Sequence, residues 1–427
     1  MFVTDADGLI VGDFTPAVRR VGTDGTAAAA PADDALAGVK TIDGDGDIVI
    51  RAAGALQLAA NSATGDDNGV GLSAHGDGDI LLHASGNSGN LDLSAGVVSA
   101  LGNITLTASK AVSLSAGGDL TTQGSGKTID VLAGAGVAMA DGSLLSATDG
   151  NVRVQAQSGD VTLGEIVAGT GVVAVLASGS VLDLGTDTSV QDITAGKLIV
   201  TAGAAIGASG NHLETSVGVL TTKSTTGSTY VTEADAVLVD EVSLSINRVD
   251  GQGAVSAFGS AANTALEQKD AVSGADLVLS VVNGTLETKA GKGEVVATGN
   301  VLLQTLETAE TTDAAMTLHA LVKSTGGNIS LNAADGISLS AGGDLTTQGS
   351  GKTIDVLAGA GVAMADGSLL STANGNVRVQ AQAGDVNFVW QEHGGVYDTR
   401  PRRMHSSMRM RVGMFRSVWS ASESGSH

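Results

Sequence analysis

The densest group of chemically capable side chains in this sequence is a run of aspartates. Asp43, Asp45 and Asp47 form DGDGD, and Asp77 with Asp79 form GDGD. Carboxylates spaced along a glycine-rich backbone suit calcium, a hard cation that gathers about six to eight oxygens. These five residues are the candidate calcium ligands, and calcium is the one cofactor the sequence suggests. A helix-loop-helix calcium loop starting at Asp43 would need glycine and glutamate where Ile48 and Gly54 stand, and the nonapeptide calcium repeat is missing as an array. The plainer role for these aspartates is to solubilise turns.

Other motifs carry less. Gly126-Lys127-Thr128, with Gly351-Lys352-Thr353, ends like a phosphate-binding loop, but Thr121 and Thr346 stand where its first glycine belongs. A strand-like run, Ile129-Asp130-Val131-Leu132, follows in place of the helix that loop requires. The histidines His75, His83, His212, His319, His393, His405 and His427 show no HExxH or HxH spacing, and the absence of cysteine removes thiol chemistry. Glycoside chemistry would need clustered acids, a basic residue and aromatic faces for sugar rings. No Phe, Trp or Tyr lies between Phe14 and Tyr230. Asp130 and Arg153 recur as Asp355 and Arg378, which reads as a repeated strand position rather than a unique active site.

The elements that must position these residues are short strands. Ile104-Thr105-Leu106, Val112-Ser113-Leu114, Ile129-Asp130-Val131 and Val152-Arg153-Val154 alternate apolar and polar residues, with Gly, Asn, Asp and Ser between them. The 61 glycines, three prolines and nine aromatics describe a narrow core of small aliphatics, not the bulky core of a sandwich. Three strands spaced eight or nine residues apart give a coil of roughly 25 residues. The expected fold is all-β, a right-handed parallel β-helix solenoid. At about 4.8 Å per coil, residues 1 to 386 would form a rod on the order of 75 Å long.

The chain also repeats itself. Ser113–Val161 returns as Ser338–Val386 with four changes in 49 positions, an offset of 225 residues. FVTDADGLIV from Phe2 matches YVTEADAVLV from Tyr230. Residues 1–228 form a first long unit and 229–386 a second, truncated one. After Val386 the pattern breaks, and residues 387–427 hold both tryptophans, five of the nine aromatics and six of the twelve arginines, with a formal charge of +3. That break reads as a reading-frame change or a chimeric join. The competing reading is a basic tail that binds an acidic surface. In either case the tail is expected to lie outside the solenoid, disordered or out of frame.

GNITLTASKAVSLSAGGDLTT, GNVRVQAQSGDVTLG and AAIGASGNHLETSVGVLTT resemble the repeats of filamentous-haemagglutinin-like large bacterial exoproteins and giant surface adhesins. The resemblance implies a secreted or cell-surface β-helix that acts as a stalk or adhesive surface, a fragment of a larger parent. Its partners would be a surface ligand or polysaccharide and neighbouring repeats of the longer chain. The start, MFVTDADGLIV, lacks the basic and apolar regions of a signal peptide, and no apolar run is long enough to span a membrane. A net charge of −23 argues against a nucleic-acid partner. The expected role is non-enzymatic. The alternatives are a polysaccharide-active lyase or hydrolase and a calcium-dependent structural module. The last is tested by melting the protein in millimolar calcium: a marked rise in melting temperature is its signature, and a flat response removes it.

Overall fold

In a computed structural model of the chain, the described residues are 1–13, 18–29, 38–60, 69–185, 190–258, 266–308, 313–388, 404–405 and 408–411. Every regular element among them is a strand, and parallel strands stack into a β-solenoid of about twelve turns. The chain divides into two compact units, Met1–Ser178 with Leu244–Leu266, and Gly179–Ser243 with Glu267–His427. This division does not follow the sequence repeat, whose boundary at 228/229 falls inside the second unit.

In the first unit each coil contributes one strand to each of three parallel columns. The longest strands are Ile48–Ala52, Ile80–Ala84, Ile104–Ala108, Ile129–Ala133, Val152–Ala156 and Val172–Ala177. They pair in strict register, with Ile80, Ile104, Ile129, Val152 and Val173 directly above one another. Those steps are 24, 25, 23 and 21 residues, close to the coil length expected from the sequence. Alternation sends the first, third and fifth residue of each five-residue strand into the bore, and in Val172–Ala177 the residues level with them, Val173, Val175 and Ala177. The bore is therefore lined by vertical ladders of like residues, such as the branched Ile104, Ile129 and Val152, and Ala108, Ala133 and Ala156, all buried. Small, branched residues suit this space because each meets its own kind one coil away.

Two polar ladders close the corners. Ser99 donates to the carbonyl of Gly78 at 2.8 Å and accepts from the Gly102 amide at 2.7 Å, and Thr122 donates to Gly102 at 2.7 Å. At the entry to the long strands, Asp79 accepts from the backbone and side-chain nitrogens of Asn103 at 2.6 and 2.8 Å, and Asn103 accepts from the Thr128 amide at 3.0 Å. These bonds satisfy backbone groups that leave the sheet at a turn.

The second unit reproduces the plan. Its long strands Thr229–Glu233, Leu277–Val281, Val301–Thr305, Ile329–Ala333, Ile354–Ala358 and Asn376–Ala381 stack in parallel. Asp276, Asn300, Asn328 and Thr353 form the corner ladder. Two strands exceed the rest, Ile193–Ala202 and Leu213–Ser224, paired along nearly their whole length. The solenoid runs slightly past the expected break, since Asp385–Phe388 pairs in parallel with Val362–Met364. Met404–His405 and Met408–Arg411 then pair antiparallel with Asp385–Val386 and Asn376–Val379, covering backbone edge groups of the last coils. The other residues of the tail lie outside the described ones.

Two segments leave the solenoid as antiparallel hairpins. Ile246–Val249 pairs with Val255–Phe258, and Arg19–Val21 pairs with Ala27–Ala29. Their turns match bond for bond. Asp250 donates its amide to Ala254 at 2.9 Å as Gly22 does to Thr26, and Gly253 donates to Asp250 at 3.0 Å as Gly25 does to Gly22. Gly253 and Gly25 take φ of 80° and 76°, which glycine adopts at no steric cost.

Coil stacking is tight enough that a single methyl group matters. A Cβ at Gly150 would run into the carbonyl oxygen of Lys127 one coil below, and one at Gly375 into that of Lys352. Gly150→Ala is expected to destabilise the protein by roughly 1–3 kcal/mol, read as a lower melting temperature by circular dichroism. Gly210→Ala, where a Cβ meets nothing within 4 Å, is expected to leave it unchanged.

Candidate functional site

The most elaborate side-chain arrangement lies on the outer face of the long-strand column in the first unit, beneath the Ile246–Phe258 hairpin. The register that stacks the bore also stacks the outward positions, so Val49, Leu81, Thr105, Asp130 and Arg153 form a stripe across five consecutive coils. All five are buried, although outward residues of a solenoid normally face water. The hairpin covers them. Val249 packs on Val49 and Leu81, and its amide donates to the Thr105 hydroxyl at 2.9 Å. The Thr128 hydroxyl accepts from the Asn247 amide at 3.1 Å and donates to its carbonyl at 2.8 Å. Asn151 donates to the Ser245 carbonyl at 2.7 Å.

Asp130 is the centre of this interface. It accepts two parallel bonds from Arg153, Nε to Oδ1 and Nη2 to Oδ2, both at 2.8 Å, and a third from Arg248 of the hairpin at 2.9 Å. The Phe258 ring lies against both guanidinium groups, each 4.6 Å from its centroid. Burial pushes the Arg153 guanidinium below its usual range, while the charge and hydrogen bonds of Asp130 oppose that shift. Two cations share one carboxylate, and Arg248 carries the excess charge to the edge, where 28% of its side chain is exposed against 0–1% for Asp130 and Arg153. The arrangement is a clamp. Its acid and its base are spent on each other and closed to substrate.

The five candidate calcium ligands accept hydrogen bonds or face a cation within the chain. Asp47 accepts from the Asp79 amide at 3.0 Å and Asp79 accepts from Asn103, so these two begin the corner ladder. Asp45 accepts from the Asp77 amide at 3.1 Å, Asp43 from Gly44 at 2.9 Å, and Asp77 lies 3.6 Å from the Lys127 ammonium. Asp45, Asp47 and Asp79 thus stitch one coil to the next, whereas Asp43 bonds within its own turn. Among the described residues, the three acids whose ligand atoms converge within 4.8 Å are Asp183, Asp192 and Glu214.

That trio lies in the second unit, where the long Leu213–Ser224 strand brings Glu214 beside Asp192. Asp192 accepts from the Glu214 amide at 2.8 Å, and Asp183 from Gly185 at 2.7 Å. Oδ2 of Asp183 is shut from water with no donor among the described residues, the acceptor a proton carried on Asp192 would satisfy. Burial, with the neighbouring Asp183 and Glu214, raises Asp192 to about 9. Glu233, held by Thr215 at 2.7 Å and Val217 at 2.9 Å, is raised by burial to about 7. The trio can hold a shared proton or, deprotonated, a hard cation.

No spacing rule points to this trio, because Glu214 reaches Asp183 and Asp192 only through the pairing of Ile193–Ala202 with Leu213–Ser224. The hairpin did carry a signal: Asp250-Gly251-Gln252-Gly253 between alternating runs is turn chemistry, and Phe258 is one of few aromatics.

Two outcomes follow for stability. Asp130→Ala leaves two arginines without their carboxylate and is expected to cost about 3–5 kcal/mol, with the hairpin turn becoming open to protease. Asp355→Ala, whose pair with Arg378 is partly exposed, is expected to cost less than ~1 kcal/mol. For Asp192, the folded state keeps a proton that the unfolded carboxyl releases near 3.8. Its contribution to stability is therefore fully present below about 4 and is lost as pH rises to about 9. Asp192→Asn is expected to flatten that slope and to raise the melting temperature at pH 8, measured by thermal melts across pH. No known protein family, curated protein or solved structure matches this chain.

Proposed function

We propose that this chain is a non-enzymatic structural and adhesive segment of a larger secreted or cell-surface exoprotein, presenting a repeated outer surface to a polysaccharide or other surface ligand. The observation that supports this reading most is the use made of the Asp130–Arg153 position. The acid–base pair that both copies of the repeat share is spent in the first copy on fastening a hairpin to the strand face. Repetition of the face with small variation suits a surface that works by many weak contacts, whose strengths combine when the sites are linked. The acidic exterior, at −23 overall, favours neutral or cationic ligands and disfavours nucleic acid.

A polysaccharide-active enzyme is the second reading, favoured by the accessibility of Asp355 and Arg378 in the second copy, with side chains 35% and 42% exposed. One experiment separates the two. The chain is coupled densely to beads and offered a panel of neutral and uronic-acid polysaccharides, with the free chain in parallel. The adhesive reading predicts bead-bound retention at least ~100-fold stronger than that of the free chain, with no new reducing or unsaturated ends. Polymer cleavage abolished by Asp355→Asn would establish the enzyme, and absence of retention on every surface would sink the adhesive reading.

A further inference from the structure

Among the described residues there are two copies of the clamp stripe and two of the hairpin, and one of those hairpins sits on a stripe. In the second unit the stripe is Val278, Leu302, Ser330, Asp355 and Arg378, stacked in the same register as Val49, Leu81, Thr105, Asp130 and Arg153. Each chemical feature is kept: two aliphatics, a hydroxyl, an acid and an arginine. Arg378 Nε donates to Asp355 Oδ1 at 2.6 Å, as Arg153 does to Asp130. Thr353 stands where Thr128 does. Yet where the first stripe is wholly buried, all five members of the second are partly exposed.

The other hairpin is exposed in turn. Arg19–Val21 and Ala27–Ala29 align with Asn247–Val249 and Val255–Ala257, pairing Arg20 with Ala28 as Arg248 pairs with Ser256. Arg20 thus holds the place of Arg248 and Val21 that of Val249. Every residue of both strands is exposed, and Val21 shows 68% of its surface. An exposed valine beside an exposed arginine matches an open pair of aliphatics beside an open carboxylate. Backbone groups at Arg19 and Val21 would meet the hydroxyls of Thr353 and Ser330, as those at Asn247 and Val249 meet Thr128 and Thr105.

We infer that the Val18–Ala29 hairpin of one molecule docks on the Val278–Arg378 stripe of a second copy of this chain, with Arg20 on Asp355 and Val21 on Val278 and Leu302, so that copies associate head to tail. The two surfaces differ and lie on the same chain, so a head-to-tail contact is heterologous, building a ring where its rotation closes and an open chain where it does not. In sequence, Ala30 aligns with Phe258, so this clasp has no counterpart at that position to the aromatic side chain that flanks the guanidinium groups in the internal one. Its strength should therefore fall below that of the internal clasp, with dissociation constants of roughly 1–100 µM. The inference is independent of any adhesive or enzymatic role.

The test is a complementation experiment by sedimentation velocity on the full chain. The wild-type protein is expected to shift from monomer to a ladder of larger species as concentration rises through ~0.1 mM, and Arg20→Ala or Asp355→Ala alone to hold it as monomer. Arg20→Ala keeps an open stripe, and Asp355→Ala keeps a competent hairpin. An equimolar mixture of the two should therefore form dimers and nothing larger. Unchanged circular dichroism and melting of both variants excludes misfolding as the cause. A wild-type protein that stays monomeric at that concentration overturns the inference, and so do oligomers that survive both substitutions or a mixture that fails to dimerise.

Discussion

Everything in this protein depends on the pairing of each coil's backbone with the coil above and below. A strand of three to five residues is too short to be stable alone, and it persists only because both of its edges are bonded. Pairing in strict parallel register has a second effect. It places equivalent side chains at equivalent heights around the stack, so a residue that suits one coil suits the next. Isoleucine over isoleucine in the bore, asparagine over aspartate at the corner and the outward stripe of Val49, Leu81, Thr105, Asp130 and Arg153 are one constraint expressed in three environments.

The same constraint explains what could be read from the sequence. Three strands per coil, a coil near 25 residues and a core of small aliphatics were legible because each coil repeats the pattern of Ile104–Ala108 and its successors. The features that leave the stack were not. Arg248 meets Asp130 across 118 residues of sequence, and no periodicity encodes that distance. Asp183, Asp192 and Glu214 come together because the long strands Ile193–Ala202 and Leu213–Ser224 depart from the usual coil. The aspartates of DGDGD were visible as a group, but the sequence does not reveal that Asp47 and Asp79 face amides of the following coil. Their carboxylates serve backbone donors that a turn would otherwise leave unsatisfied.

The paired copies also separate two environments for one ion pair. Asp130–Arg153 and Asp355–Arg378 share strand position and bonding geometry, but the first is dry and the second wet. Burial pulls Arg153 down, whereas the bond to Asp355 raises Arg378. The hairpin covers only the first pair, and the next strand differs as well: Arg153 lies beside Ala174 of a further parallel coil and Arg378 beside Arg409 of an antiparallel strand. Charge placed on a strand face in this fold thus acquires its energetic character from what lies over it.

The hairpin over the first stripe has a mechanical meaning as well. Force along the stacking direction would load the ladders between coils in series, so that the weakest opens first and the rest follow singly. Val249, Asn247, Arg248 and the Ser245 carbonyl together touch residues of five successive coils. The hairpin therefore acts as a splint running along the pull, sharing the load among ladders that would otherwise fail in succession. A coil beneath it cannot peel away without tearing contacts on its neighbours, and extension of this region becomes a single high-force event instead of a gradual unravelling.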